Sequence, residues 1–139
     1  MNPKTRSFFY YGVPVILWML FIFILSSVQG ESIPKFPIPH FHLLVHFGEY
    51  TVLGFLVVRA LIYYASSIKS ERLALFSILL SLLFGLSDEW HQSFVAGRTN
   101  QLVTVGYDVI FSAIGVGVYF ILRLALLKSK SKLLTSQRV

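Results

Sequence analysis

The sequence predicts an all-α integral membrane bundle of four transmembrane helices with both termini in the cytoplasm. Three observations carry that expectation. Residues are 55% hydrophobic and only 13% charged, about half the charged share usual in soluble domains. A 139-residue chain leaves about a third of its unfolded surface exposed after folding, and here Leu, Phe and Val would have to coat it. The apolar residues also fall into four long runs separated by short polar segments, and the basic residues cluster on alternate segments.

The first span covers residues 8–28, a charge-free run of 21 residues that reaches about 31 Å as a helix. Pro14 falls in its second turn, where a membrane helix tolerates it. Lys4 and Arg6 ahead of this run also fit a signal peptide, but the run is long for one and lacks an A-x-A cleavage site. Residues 31–40 hold Pro34, Pro37 and Pro39 and read as an extended connector. The second span follows at 43–65, the third at 73–90, and the fourth at 103–127, after a Gly97-Arg98-Thr99-Asn100 loop. Lys128, Lys130 and Lys132 read as a basic tail. The whole chain, 1–139, forms one membrane domain.

Outside the spans, Lys4, Arg6, Lys69, Arg72, Lys128, Lys130, Lys132 and Arg138 fall on one side, against Lys35 and Arg98 on the other. This bias places both termini inside. Arg59 is expected to snorkel toward that inner side. The net charge of +6 is thereby a topology signal; no nucleic-acid motif or basic patch accompanies it. Zero cysteines exclude a thiol nucleophile and a zinc-thiolate centre, so any metal would need His and carboxylate ligands.

Ionisable residues inside spans cost about 2.5–3.5 kcal/mol each and mark function by default. Here they gather at one depth near the outer end. His46 and Glu49 open the second span, Asp88, Glu89, His91 and Gln92 close the third, and Asp108 opens the fourth, with Arg98 in the loop between. At about 100° per residue, His42, His46, Glu49 and Tyr50 share a face, Trp90 points away from its acidic neighbours toward lipid, and Gln101, Thr104, Asp108, Ser112, Gly115 and Tyr119 form one stripe. Gly115 and Gly117 are expected to permit close helix packing. His46, Glu49, Asp88 and His91 resemble the inward-facing ligand set of metal-binding bundles. The competing explanation is that these residues are hydrogen-bonding glue between helices, with Glu49 or Asp88 paired to Arg98.

The elements His46-x-x-Glu49-Tyr50-x-x-Leu53-Gly54 and Asp88-Glu89-x-His91-Gln92-x-Phe94, with Gly97-Arg98 and a polar start to the last span, resemble the VanZ-like family of bacterial membrane proteins. The likeness runs from about residue 26 to 115. Two positions depart from the family pattern: Leu43 stands where many members carry Lys, and Thr104 stands at an acidic position, with Asp108 at the next. The resemblance implies residence in the bacterial cytoplasmic membrane, a polar outer-face site, and a part in envelope physiology that includes tolerance of the glycopeptide teicoplanin. The expected partners are the bilayer and a lipid or lipid-linked envelope precursor. Two alternatives stand beside this reading. One is a membrane-embedded enzyme with Glu49 or Asp88 as base, His91 as acid-base partner and Arg98 as an anion clamp; the other is a small transporter.

Overall fold

A computed structural model describes residues 1–32, 37–98 and 101–136. Among these residues, four helices are long and apolar enough to cross a membrane. We label them α1 (Pro3–Ser26), α2 (Phe41–Tyr64), α3 (Ser70–Gln92) and α4 (Leu102–Ser136). The expected all-α bundle of four spans is thus the observed architecture, and the chain is read as a multi-pass membrane protein. Large apolar side chains cover the outside, including Leu83, Ile121 and Trp90.

Each helix departs from its expected limits for a local reason. In α1, residues Phe8–Gly12 form a wide π-turn. Pro14 lacks an N–H and its ring crowds the preceding turn, so the backbone widens just before it. Beyond Ser26 the chain leaves the helix in a turn, so residues 27 and 28 lie outside α1. Part of the connector is compact: Gly30–Ser32 make a 3-10 turn, correcting the expectation of extended chain there, while Pro34 and Lys35 lie outside the described residues. Past the expected end of the fourth span at residue 127, α4 continues as helix through Lys128 and Lys130 to Ser136. Lys and Ala-like stretches without Pro or Gly give that helix no reason to stop at the membrane edge.

Contacts at the two ends define the topology. At the end carrying both termini, the Ser7 hydroxyl is hydrogen-bonded to Tyr63 and the Tyr11 and Tyr63 rings stack at 4.0 Å. At the opposite end, the close of α1 meets the close of α3, where Ser26 bonds Asp88, and the start of α2 meets the start of α4, where His46 bonds Asp108. The core holds Ile22, Tyr50, Leu53 and Val57. Helix α1 is the least embedded, with only Ile22 and Ser26 buried in its long segment.

The tightest packing is between α2 and α4. A Cβ on Gly54 would lie 2.2 Å from the Ser112 carbonyl oxygen, and one on Gly115 would lie 1.9 Å from that of Thr51. The backbones therefore touch twice along one seam, as small residues allow in membrane helices. Gly117, expected to share this role, has open space around it. On α3 the small stripe Ser77, Ser81 and Gly85 is buried, and Ser112 Oγ of α4 donates to Ser81 Oγ at 2.8 Å. The predicted α4 stripe is largely confirmed: Thr104, Asp108, Ser112 and Gly115 are buried and Tyr119 is half-buried, while Gln101 at its start is exposed.

Replacing Gly115 by Val should force the seam open and cost about 3 kcal/mol, read as a lowered thermal midpoint of the detergent-solubilised protein. Gly117→Ala should leave that midpoint unchanged or raise it slightly, by about 0.5 kcal/mol.

Candidate functional site

At the end away from the termini, α1, α2 and α3 leave a cleft of about 490 Å³. Its lining is mixed: Ile22, Leu25, Val28 and Phe41 are apolar, and His42, His46, Glu49, Asp88, Gln92 and Arg98 are polar. Sequence position explains this. His46 and Glu49 lie one turn apart on α2, Asp88 and Gln92 one turn apart on α3, and the two helices run antiparallel, so their polar turns meet at one level.

Each side chain is held differently. Asp88 is 3% exposed and fully engaged: Ser26 Oγ donates to Oδ1 at 2.6 Å and Gln92 Nε2 donates to Oδ2 at 2.8 Å. Its carboxylate therefore fastens α1 to α3. His46 donates from Nδ1 to Asp108 Oδ1 at 2.8 Å, the only ion pair among the described residues. Asp108 is 1% exposed and sits behind the imidazole, fixing its tautomer and orientation. No hydrogen bond to the protein uses the other ring nitrogen, Nε2, among the described residues.

Glu49 stands apart. It is 8% exposed, lines the cleft, and its carboxylate receives no hydrogen bond from any described residue. The side-chain oxygens sealed away without a partner among the described residues are those of Tyr50, Thr51 and Asp108 Oδ2; the Glu49 carboxylate is instead open to the cleft, from which a donor can reach it. Its main-chain carbonyl is already committed, accepting from Trp18 Nε1 at 2.8 Å.

Arg98 does not pair with Glu49 or Asp88. Its Nε donates to the Val28 carbonyl at 3.0 Å and its Nη2 to that of Leu25 at 2.8 Å, capping the end of α1 with a cation where the helix leaves its carbonyls unpaired. Only part of the guanidinium remains for a ligand, so the sequence-based role as a dedicated anion clamp is reduced. Gly97 makes this possible. Its φ of +73° suits glycine, and the Gly30 N–H donates to the Ala96 carbonyl at 3.0 Å where no side chain would fit between the strands of chain.

Two predicted residues lie elsewhere. Glu89 is buried, but its Oε2 accepts from the Gln101 N–H at 2.9 Å, which satisfies a free donor at the start of α4. His91 stacks on Phe23 at 4.2 Å and is hydrogen-bonded to Ser27 through Nε2 at 2.9 Å. Of the four candidate ligands, His46, Glu49 and Asp88 line the cleft and His91 does not. Among the described residues no group of three or more His, Asp or Glu side chains is arranged to hold a metal ion. The candidate ligands divide: His46 goes to Asp108, Asp88 to Ser26 and Gln92, His91 to Ser27, and Glu49 to the cleft.

Two contributors escaped sequence reading. Ser26 looked like the polar end of an apolar run, yet it is the α1 partner of Asp88; its depth, level with the acidic cluster, was the available signal. His40 lines the cleft from a left-handed conformation, φ 55°, one of the few non-glycine types that adopt it. Tyr50 shares the expected face but is fully buried, and its hydroxyl has no partner among the described residues.

With this geometry in view, the chain matches no family model, no curated protein and no solved structure.

Substituting Arg98 by Ala should loosen the junction between α1 and the following turn, costing about 1–2 kcal/mol for two charge-assisted bonds at a partly exposed site. Limited proteolysis near residue 30 should quicken, and Arg98→Lys should restore little, because an ammonium lacks the fork that spans two carbonyls.

Proposed function

We propose that this chain is a VanZ-like protein of a bacterial cytoplasmic membrane, acting in envelope physiology and glycopeptide tolerance by holding an amphiphilic envelope component in the cleft. The eight-to-two distribution of basic residues supports an orientation with both termini inside and the cleft at the outer face. One observation carries the binding reading: the Glu49 carboxylate, without a hydrogen bond from any described residue, lines a cleft whose lining also includes the apolar Ile22, Leu25, Val28 and Phe41. Such a site suits a ligand with hydroxyl or amine donors on its head group and a hydrocarbon portion beside it, as a lipid or lipid-linked precursor has.

A second reading is favoured by the His46–Asp108 pair. An imidazole oriented through Nδ1 by a buried carboxylate, with Nε2 unengaged, has the arrangement of a general acid-base group. Glu49 is the nearest candidate for an accepting carboxylate in the cleft. On this reading the same amphiphile is turned over rather than held.

The test compares teicoplanin susceptibility in a deletion host carrying wild type, Glu49→Gln, His46→Ala or Asp88→Asn, with membrane abundance measured alongside. Glu49→Gln should reach wild-type abundance and lose protection, while His46→Ala, which leaves the buried Asp108 carboxylate unpaired, should lose protection and lower abundance. Asp88→Asn should also lower abundance, since it weakens the α1–α3 link. Retained protection in the first two variants would overturn the proposal. Turnover of an envelope-lipid panel by purified protein, abolished in His46→Ala, would select the enzymatic reading.

A further inference from the structure

The opposite end of the bundle holds a second polar feature that the cleft does not use. A groove between α2, α4 and the start of α1 contains Arg59 and Arg123 together, with Tyr10, Tyr119, Phe55 and Leu126 around them. Both arginines lie within helices that span the membrane. Neither has a carboxylate partner among the described residues, where the sole ion pair is at the other end.

The Arg59 guanidinium lies over two rings, 4.5 Å from the Tyr10 centroid and 4.9 Å from that of Tyr11. These contacts hold it flat against α1 and stop it trailing freely into water. Cation-π contact offsets only part of the cost of a cation at this depth. Arg59 is five residues from the end of α2 at Tyr64, roughly 7 Å along the helix axis, a distance that the long arginine side chain can span to the head-group level. Arg123 brings a second planar fork into the same groove from α4.

The walls state what kind of anion fits. Leu122, Leu126 and Leu127 line the groove and are 50%, 72% and 56% exposed, facing the hydrocarbon. A soluble anion would meet no complementary surface there, whereas an acyl chain would. We propose that this groove is a binding site for an anionic phospholipid of the termini-side leaflet, its phosphate held between Arg59 and Arg123 and an acyl chain lying along α4. Arginine pairs suit phosphate because each fork offers parallel donors, and basic sites between membrane helices recognise such head groups. The site is independent of the cleft, and either can fail without the other.

The experiment uses the full chain in nanodiscs of phosphatidylcholine with a minor fraction of phosphatidylglycerol or cardiolipin, followed by native mass spectrometry of the released protein. Wild type should retain anionic lipid over phosphatidylcholine by about twenty-fivefold, roughly fivefold for each arginine. Arg59→Gln with Arg123→Gln should abolish the preference. Arg123→Gln alone, at the more exposed position and without the tyrosine contacts, should reduce it about fivefold in a protein whose folding is unaffected. Lys128→Gln with Lys130→Gln, equal in charge but outside the groove, should leave it intact. Loss of the preference in the lysine variant, its persistence in the arginine variants, or displacement of the lipid by inorganic phosphate would each overturn the proposal.

Discussion

The backbone seam between α2 and α4 sets the positions of everything at the cleft. Where Gly54 meets Ser112 and Gly115 meets Thr51, two helices approach more closely than side chains would permit, and the approach fixes both their rotation and their relative height. With the seam in place, His46 and Asp108 are brought to hydrogen-bonding distance two turns farther along. The same seam turns Ser112 toward Ser81, which docks α3. In lipid no hydrophobic force sorts helices from solvent, so short-range packing and polar contacts must supply the register.

Around that frame the buried acids are disposed one by one. Asp88 is neutralised in hydrogen-bonding terms by α1 and by its own helix, Asp108 supports His46, and Glu89 caps α4. These three are the joints of the bundle. Glu49 is the exception, and it is an exception with a cleft in front of it. Residues that join helices and a carboxylate left open to the cleft are thus both present in the cluster, divided among its members.

The fold was legible because a bilayer demands long apolar runs and leaves few alternatives for the backbone. The α4 stripe and the outward face of Trp90 followed from helical periodicity for the same reason. Partner choice was less legible. Periodicity fixes which residues share a face, but not how two faces are rotated against each other, so it groups His46 with Glu49, Asp88 and His91 and does not single out Asp108, to which His46 is bonded. Ser26 was overlooked because a hydroxyl at the end of an apolar run carries no weight until its opposite number is known. The π-turn at Phe8–Gly12 and the extension of α4 to Ser136 are matters of local backbone geometry that hydropathy does not sense.

The chain's two tryptophans sit in unlike places. Trp90 is exposed on the lipid side, while Trp18 is pinned to the backbone of Glu49 at the joint between α1 and the cleft. Its indole bond spans the boundary between the least embedded helix and the residue that lines the cleft. Trp18 therefore works as a native optical gauge: any occupant that shifts α1 against α2 alters the polarity and hydrogen bonding of this one fluorophore, while Trp90 supplies the constant background against which the change is read.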